Sequence, residues 1–407
     1  MSAGVLQRWW QRMTVRKTLD FSALGPQASR IQPLDHALVA VVVAMLMFGL
    51  VFVYSASIAL PDHPDNLRMG PNYFLVRHSL AMLFALVVGL VVFQVPVSTL
   101  NRYAPWIFVA ALVMLMLVLV PFIGKEAKGA RRWIQLGFFS FQPTELMKVA
   151  AMLYAANYIT RKQELKEMFV RGFLPVGFAL GLAAGLVFAQ KDLGGFAVVV
   201  VTAMLVLFYG GISARIFGAL TVTFAVAAGL AIVLTSWRMN RVYAFLDPFD
   251  PKWERTVAWQ LTNSLIAFAR GGITGEGLGE SVEKLFYLPD AHTDFILAVV
   301  GEELGLMGVL SLVLAYWWIV WRAFGIGRQA LVLERPFAGL VALGIGTWLG
   351  VQTLINMGVA LGMLPTKGLT LPFISYGGSA ILMAVSMMAL LLRIDFENRQ
   401  VMMGKRV

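Results

Sequence analysis

The hydrophobic positions of this 407-residue chain fall in long unbroken runs. They show neither the three-to-four spacing of a half-buried helix nor the two-residue alternation of a strand. Ala37–Val53, for example, contains no polar side chain at all. Runs long enough to cross a bilayer, roughly 17–25 residues, are predicted at 36–58, 74–95, 104–122, 142–160, 172–189, 193–209, 214–235, 294–321, 337–361 and 373–393. Without alternation a lipid-facing barrel is excluded, so the spans must be helices. The expected fold is an all-α polytopic membrane protein with ten transmembrane helices, and the even count puts both termini on one side. The longest polar interval, 236–293, is expected to be a large extracytoplasmic loop between helices seven and eight.

The remaining polar segments complete the organisation. Residues 1–35 are expected to form a cytoplasmic N-terminal tail, 36–393 the membrane domain and 394–407 a cytoplasmic C-terminal tail. The first apolar run is too long for a signal-peptide core and lacks a convincing cleavage site, so it is expected to be retained. No internal repeat is visible, which weighs against an inverted-repeat transporter.

Composition narrows the class further. Hydrophobic residues make up 59% of the chain and charged ones 14%, more apolar surface than a soluble core can hide. The net charge of +11 would suggest nucleic acid in a soluble protein. Here it fits cytoplasmic loops and anionic headgroups of membrane lipids, and no nucleic-acid partner is expected. There is no cysteine, hence no disulfide and no thiolate metal site.

Several cations break the positive-inside bias. Lys125, Lys128, Arg131 and Arg132 lie in "GKEAKGARRWIQLG", while Arg238, Arg241, Lys252, Arg255, Arg270 and Lys284 lie in the large loop. Two readings stand: ordinary headgroup contact, or an anionic ligand such as a lipid phosphate or pyrophosphate.

Polar groups also enter the spans. "FQPTELMK" puts Glu145 and Lys148 on one helical face, either as an intrahelical ion pair or as the wall of an internal cavity. "LPTKGLTLPFISYGGSA" places Lys367 in a short irregular segment, a candidate phosphate ligand. The glycines of "ARGGITGEGLGES" match no nucleotide fingerprint and are expected to form a tight outer loop. The four histidines are scattered, with no metal-ligand spacing. In "YLPDAHTDFILAVVGEELG", Asp294 either caps the next helix or takes part in chemistry. Asp290 and His292 would orient it, and Glu302 and Glu303 are expected to anchor that helix to polar partners.

Four long segments carry a resemblance: "AKGARRWIQLG" with "FQPTELMK", "NRVYAFLDPF", "WQLTNSLIAFARGGITGEGLGESVEKLFYLPDAHTDFILAVVGEELG" and "PTKGLTLPFISYGGSA". They resemble the SEDS proteins of bacterial shape, elongation, division and sporulation, and read most like the division branch. The resemblance implies a ten-helix peptidoglycan glycosyltransferase at the outer face of the cytoplasmic (inner) membrane, at the division septum. Its substrate would be lipid II, a disaccharide-pentapeptide on undecaprenyl pyrophosphate, which it adds to lipid-linked glycan. Its partners would be a class B penicillin-binding protein, which is a transpeptidase, and other divisome proteins. The family's essential acid matches Asp294, its cavity positions match Glu145, Lys148 and Lys367, and its basic-aromatic loop matches Arg131, Arg132 and Trp133.

The implied reaction needs a base for the attacking sugar hydroxyl and cations for the departing pyrophosphate. Asp294 is the expected base, and Lys367, Arg131, Arg132 and Lys148 are the expected cations. A divalent cation, Mg or Mn, on the pyrophosphate is compatible with this chemistry, but the sequence assigns no ligands for one. Two rival readings remain. A lipid II flippase would need polar groups continuing to the cytoplasmic side, and a non-catalytic divisome scaffold gives no reason for ionisable groups inside the bundle.

Overall fold

A computed structural model describes residues 34–62, 70, 72–127, 129–137, 139–162 and 173–405. The expected N-terminal tail lies almost wholly outside the described residues, as does most of the loop around 163–172. Every predicted run contains a helix: α1 (His36–Ser57), α2 (Tyr73–Gln94), α3 (Val97–Leu119), α4 (Pro143–Arg161), α5 (Leu174–Ala189), α6 (Leu193–Tyr209) and α7 (Ala214–Val233). Two further helices, α8 (Ser236–Leu246) and α9 (Trp259–Gly271), occupy the large loop. The last three are α10 (Ile296–Val332), α11 (Pro336–Ala360) and α12 (Gly378–Met402).

Six of these, α1, α2, α3, α10, α11 and α12, are long and apolar enough to cross a membrane. Helices α5, α6 and α7 are apolar but shorter, and α4 is interrupted by Glu145 and Lys148. The protein is a multi-pass membrane protein. Helix α11 sits at its centre, with 78% of its apolar window buried against 22% for α2. The apolar faces left outside, such as Leu80, Leu83 and Val87 on α2, suit lipid.

Three boundaries differ from expectation. Helix α3 starts at Val97, α10 runs on to Val332, and most of the expected C-terminal tail continues α12 to Met402. Ion pairs explain the extra turns of α12. Asp395 receives Arg399 at 2.6 Å, and Glu397 accepts from Arg393 at 2.8 Å and from Arg335. Arg322 of α10 reaches Asp35 before α1 at 2.5 Å. These pairs bring the start of α1 and the ends of α10 and α12 to one end of the bundle.

The opposite end carries the sheet and the start of α12. "GKEAKGARRWIQLGFFSF" was expected as a loop but forms an antiparallel sheet, β1 (Gly124–Ala127), β2 (Ala130–Leu136) and β3 (Phe139–Phe141). The strand pairing satisfies backbone N–H and C=O groups that an open loop beside the apolar ends of α3 and α4 would leave unpaired.

The large loop is fastened to α10 by two buried acids. Glu303 accepts from Lys284 Nζ at 2.7 Å and from Ser55 Oγ of α1 at 2.6 Å. Glu302 accepts from Ser281 Oγ at 2.5 Å and from the Val282 N–H at 2.9 Å, with Arg270 at 3.5 Å. The expectation of polar anchors therefore holds. Two residues on, Gly305 breaks the helix at φ 63°, and the glycine-rich loop fills the gap. Glu276 and Gly277 N–H donate to the Glu302 and Glu303 carbonyls, and Leu306 N–H donates to Gly272 O. The glycines serve this close backbone approach, since a Cβ at Gly305 would lie 2.5 Å from Ile273 O.

Candidate active site

Asp294 sits in the turn leading into α10. Asp290, at φ 58°, offers its carbonyl to the N–H groups of Thr293, Asp294 and Phe295 at 3.0, 3.1 and 3.3 Å. The N-cap of α10 is Phe295, so the acid stands one residue before the cap. Its carboxylate lies against the "PTKG" segment. A Cβ built on Gly368 would stand 2.6 Å from Asp294 Oδ2. Asn356 of α11 clamps the two strands of chain, its Nδ2 donating to Asp294 O at 2.9 Å and to Leu369 O at 2.5 Å.

Lys367 immediately precedes that glycine. Burial, followed by the charges of Arg241, Arg238 and Arg132, lowers its ammonium from the usual 10.5 to about 8. These four residues therefore form one cationic group drawn from three separate segments. Arg241 donates to the Thr366 carbonyl at 3.3 Å. Arg132 reaches from β2 to the α5–α6 turn, donating to Gln190 O at 3.1 Å and to Lys191 O at 2.7 Å.

The other expected members divide by location. Arg132 is the extra residue of a bulge in β2, because the register passes from Lys125–Trp133 to Glu126–Arg131 without a partner for it. Arg131 pairs with Glu126 of β1 at 3.4 Å, both partly exposed, and Trp133 lies across from Lys125 in the register. Glu145 and Lys148 are buried in the first turns of α4 and 2.7 Å apart. Lys148 Nζ also donates to Gln352 Oε1 at 3.0 Å, and Gln352 Nε2 donates to Thr370 O at 2.9 Å. The intrahelical pair is thus also a tie from α4 through α11 to the Lys367 segment. Glu145 Oε2 is buried without a hydrogen-bond partner among the described residues, a polar atom facing the same interior.

His292 takes a packing position. Its ring centroid lies 5.1 Å from Phe74 and 5.5 Å from Tyr376, whose N–H donates to His292 O at 2.9 Å. Sequence reasoning did not single out Arg238, Arg241, Gln352 or Asn356. The two arginines were visible as loop cations, but only the tertiary path of α8 selects them from their neighbours. Among the described residues no group of three or more His, Asp or Glu is placed to hold a metal ion.

Fold and site together define a polytopic membrane protein with an acid beside a group of cations at one end. The family model described as "Cell cycle protein", for FtsW, RodA and SpoVE, matches residues 35–400, and the chain belongs to this family. A probable peptidoglycan glycosyltransferase FtsW of Burkholderia thailandensis is 53% identical over 382 residues, covering 94% of this chain and 83% of that protein. Its counterpart in Polynucleobacter necessarius is 49% identical over 386 residues, covering 95% and 91%.

Solved structures agree with the fold. A chain from a peptidoglycan synthase complex, described as coordinating polymerization and crosslinking, superposes with a TM-score of 0.72 at 28% identity. The match covers 90% of this chain and 98% of that one. The rod shape determining protein RodA of Thermus thermophilus gives 0.63 at 27% identity, covering 89% and 96%.

Proposed function

We propose that this protein is a peptidoglycan glycosyltransferase that polymerises lipid II into glycan strands for septal wall synthesis. The observation that carries the reading is the carboxylate of Asp294 lying against Gly368, one residue from a lysine clustered with Arg132, Arg238 and Arg241. Base and leaving-group cations are thereby adjacent.

Asp294 accepts the proton of the acceptor's sugar hydroxyl. The freed oxygen forms a bond to the anomeric carbon of the donor, and the bond from that carbon to the pyrophosphate oxygen breaks. Lys367 and the arginines stabilise the charge that grows on the departing pyrophosphate. Arg132 belongs to this group directly, whereas Arg131 is engaged by Glu126 and Trp133 lies across from Lys125. Glu145, Lys148 and Gln352 hold the Lys367 segment in place from inside the bundle.

The location follows the same logic. The site end faces the extracytoplasmic side of the inner membrane, and the ion-paired end, with both termini, faces the cytoplasm. Undecaprenyl tails stay in the bilayer while the sugars meet outside it. The 28% identity to a chain of a polymerizing and crosslinking complex supports a crosslinking class B penicillin-binding protein as partner, and the resemblance to the division branch suggests other divisome proteins.

Incubation of the purified protein and its transpeptidase partner with lipid II, with crosslinking blocked by a β-lactam, tests the reading. Glycan polymer is the expected product. Its absence, with translocation of lipid II across proteoliposomes instead, would replace the polymerase by a flippase.

A further inference from the structure

A cavity of about 470 Å³ opens at the site end, outside the helical bundle. Trp237, Asn240 and Arg241 of α8 form one wall, Trp259 and Gln260 at the start of α9 another, and Thr366 closes it. Its size lies within the range of roughly 300–1,000 Å³ typical of small-ligand sites. Of the residues named, only Arg241 enters the chemistry assigned above.

The lining describes the ligand. Two indoles offer flat apolar faces, which suit the C–H faces of a pyranose ring. Two side-chain amides each both donate and accept, the pairing that hydroxyl and acetamido groups require. Arg241 is the one formal charge among these six residues, and it belongs to the cationic group around Lys367. A lipid tail would not need the amides, and a free polyanion would not need the indoles. Trp237 is held in place by the guanidinium groups of Arg238 and Arg241, 5.1 and 5.4 Å from its ring centroid, so its orientation is set before a ligand arrives.

Position ties the cavity to the reaction. Thr366 lines it, Lys367 supplies the cation, and Gly368 lies against Asp294. On the other side Gln260 Nε2 donates to Asp290 Oδ2 at 3.3 Å, and the Asp290 carbonyl organises the turn that carries Asp294. Three successive residues thus run from cavity to cation to acid.

We infer that this cavity is a glycan subsite, which holds β-linked N-acetylated amino sugars of the strand beside the sugars that react. The inference rests on the polymerase reading and deepens it. A held strand stays with the enzyme between additions, so the subsite sets chain length.

The test uses the full chain in lipid nanodiscs and a lipid-free, peptide-free tetrasaccharide of alternating N-acetylglucosamine and N-acetylmuramic acid. Saturation-transfer NMR is expected to show transfer to the acetyl methyl protons, and none to maltotetraose. Trp259→Ala and Gln260→Ala are expected to weaken binding at least about fivefold, Trp259→Phe to retain most of it, and Asp294→Asn to bind as wild type. Each variant's thermal midpoint checks that it is folded. In polymerisation assays Trp259→Ala should give shorter glycan. Equal tetrasaccharide binding by wild type, Trp259→Ala and Gln260→Ala, or none by wild type, overturns the subsite even if polymer forms. Binding that responds to the variants in a protein that makes no polymer keeps the subsite and removes the polymerase reading.

Discussion

The carboxylate of Asp294 and the α-carbon of Gly368 are packed so closely that a methyl group on Gly368 would stand 2.6 Å from Oδ2. The acid is therefore positioned by a stretch of backbone from the far side of α11, with Lys367 next along that stretch. This contact joins two sequence segments that are otherwise unrelated, and it makes the glycine a positioning residue.

Gly368→Ala should accordingly displace the acid without unfolding the bundle. Displacement of a reacting group by about 1 Å costs on the order of 10²-fold, and a loss of that size in polymerisation rate is expected. Thermal unfolding should be close to wild type. A fully active Gly368→Ala enzyme would mean that the contact does not position the acid.

The lowered ammonium of Lys367 gives a pH signature. Burial and three neighbouring arginines bring it from 10.5 to about 8, so the cation is lost as pH rises through about 8. Activity should fall on that alkaline limb, and Lys367→Arg should move the limb to higher pH, because a guanidinium stays charged. Stability runs the other way. Between about 8 and 10.5 the unfolded chain binds the extra proton, so this lysine makes folding more favourable as pH rises through that window. An unchanged alkaline limb in Lys367→Arg would assign it to another group.

The two neighbouring arginines of β2 have different partners. Arg132 acts on Lys367 and donates to Gln190 O and Lys191 O, whereas Arg131 pairs with the partly exposed Glu126. Arg132→Ala should reduce kcat/KM for lipid II by about tenfold or more, the order expected from one lost charge-assisted contact of ~1.5–3 kcal/mol. Arg131→Ala should stay within about twofold, as an exposed pair contributes ~0–1 kcal/mol. The reverse order of effects would place the phosphates beside Arg131 instead of Arg132.

The buried pair Lys284–Glu303 fastens the large loop to the bundle. Lys284→Met leaves Glu303 uncompensated and should destabilise by about 3–5 kcal/mol, lowering the thermal midpoint in detergent. Adding Glu303→Leu should recover much of the loss, because two apolar groups replace two charges. Additive losses in the double variant would show that the two residues act independently.

Much of this architecture is legible in the chain. Each of the ten apolar runs contains a helix, because lipid forces any crossing segment to satisfy its own backbone. Glu302 and Glu303 announce partners because unpaired charge is costly there, although Lys284, Ser55 and Ser281 emerge only from the fold. The hairpin is hidden because its strands are short and interrupted by Gly129 and Gly137. Gln352 and Asn356, four apart on one face of α11, look like ordinary polar positions in an apolar helix until their bonds to Thr370 and Leu369 are seen. The selection of Arg238 and Arg241 from the loop's cations depends on where α8 packs, which no local pattern encodes. Asp294 was legible as an acid of interest, but its contact with Gly368 was not.

If Asp294 is the base for the attacking hydroxyl, as proposed, its removal abolishes polymerisation without unfolding the protein. Purified protein with its transpeptidase partner, supplied with lipid II under a β-lactam, should make long glycan strands as wild type. Folded Asp294→Asn, which binds the tetrasaccharide equally well, should make none above background. Undiminished polymer from Asp294→Asn would contradict the account and remove this carboxylate from the reaction.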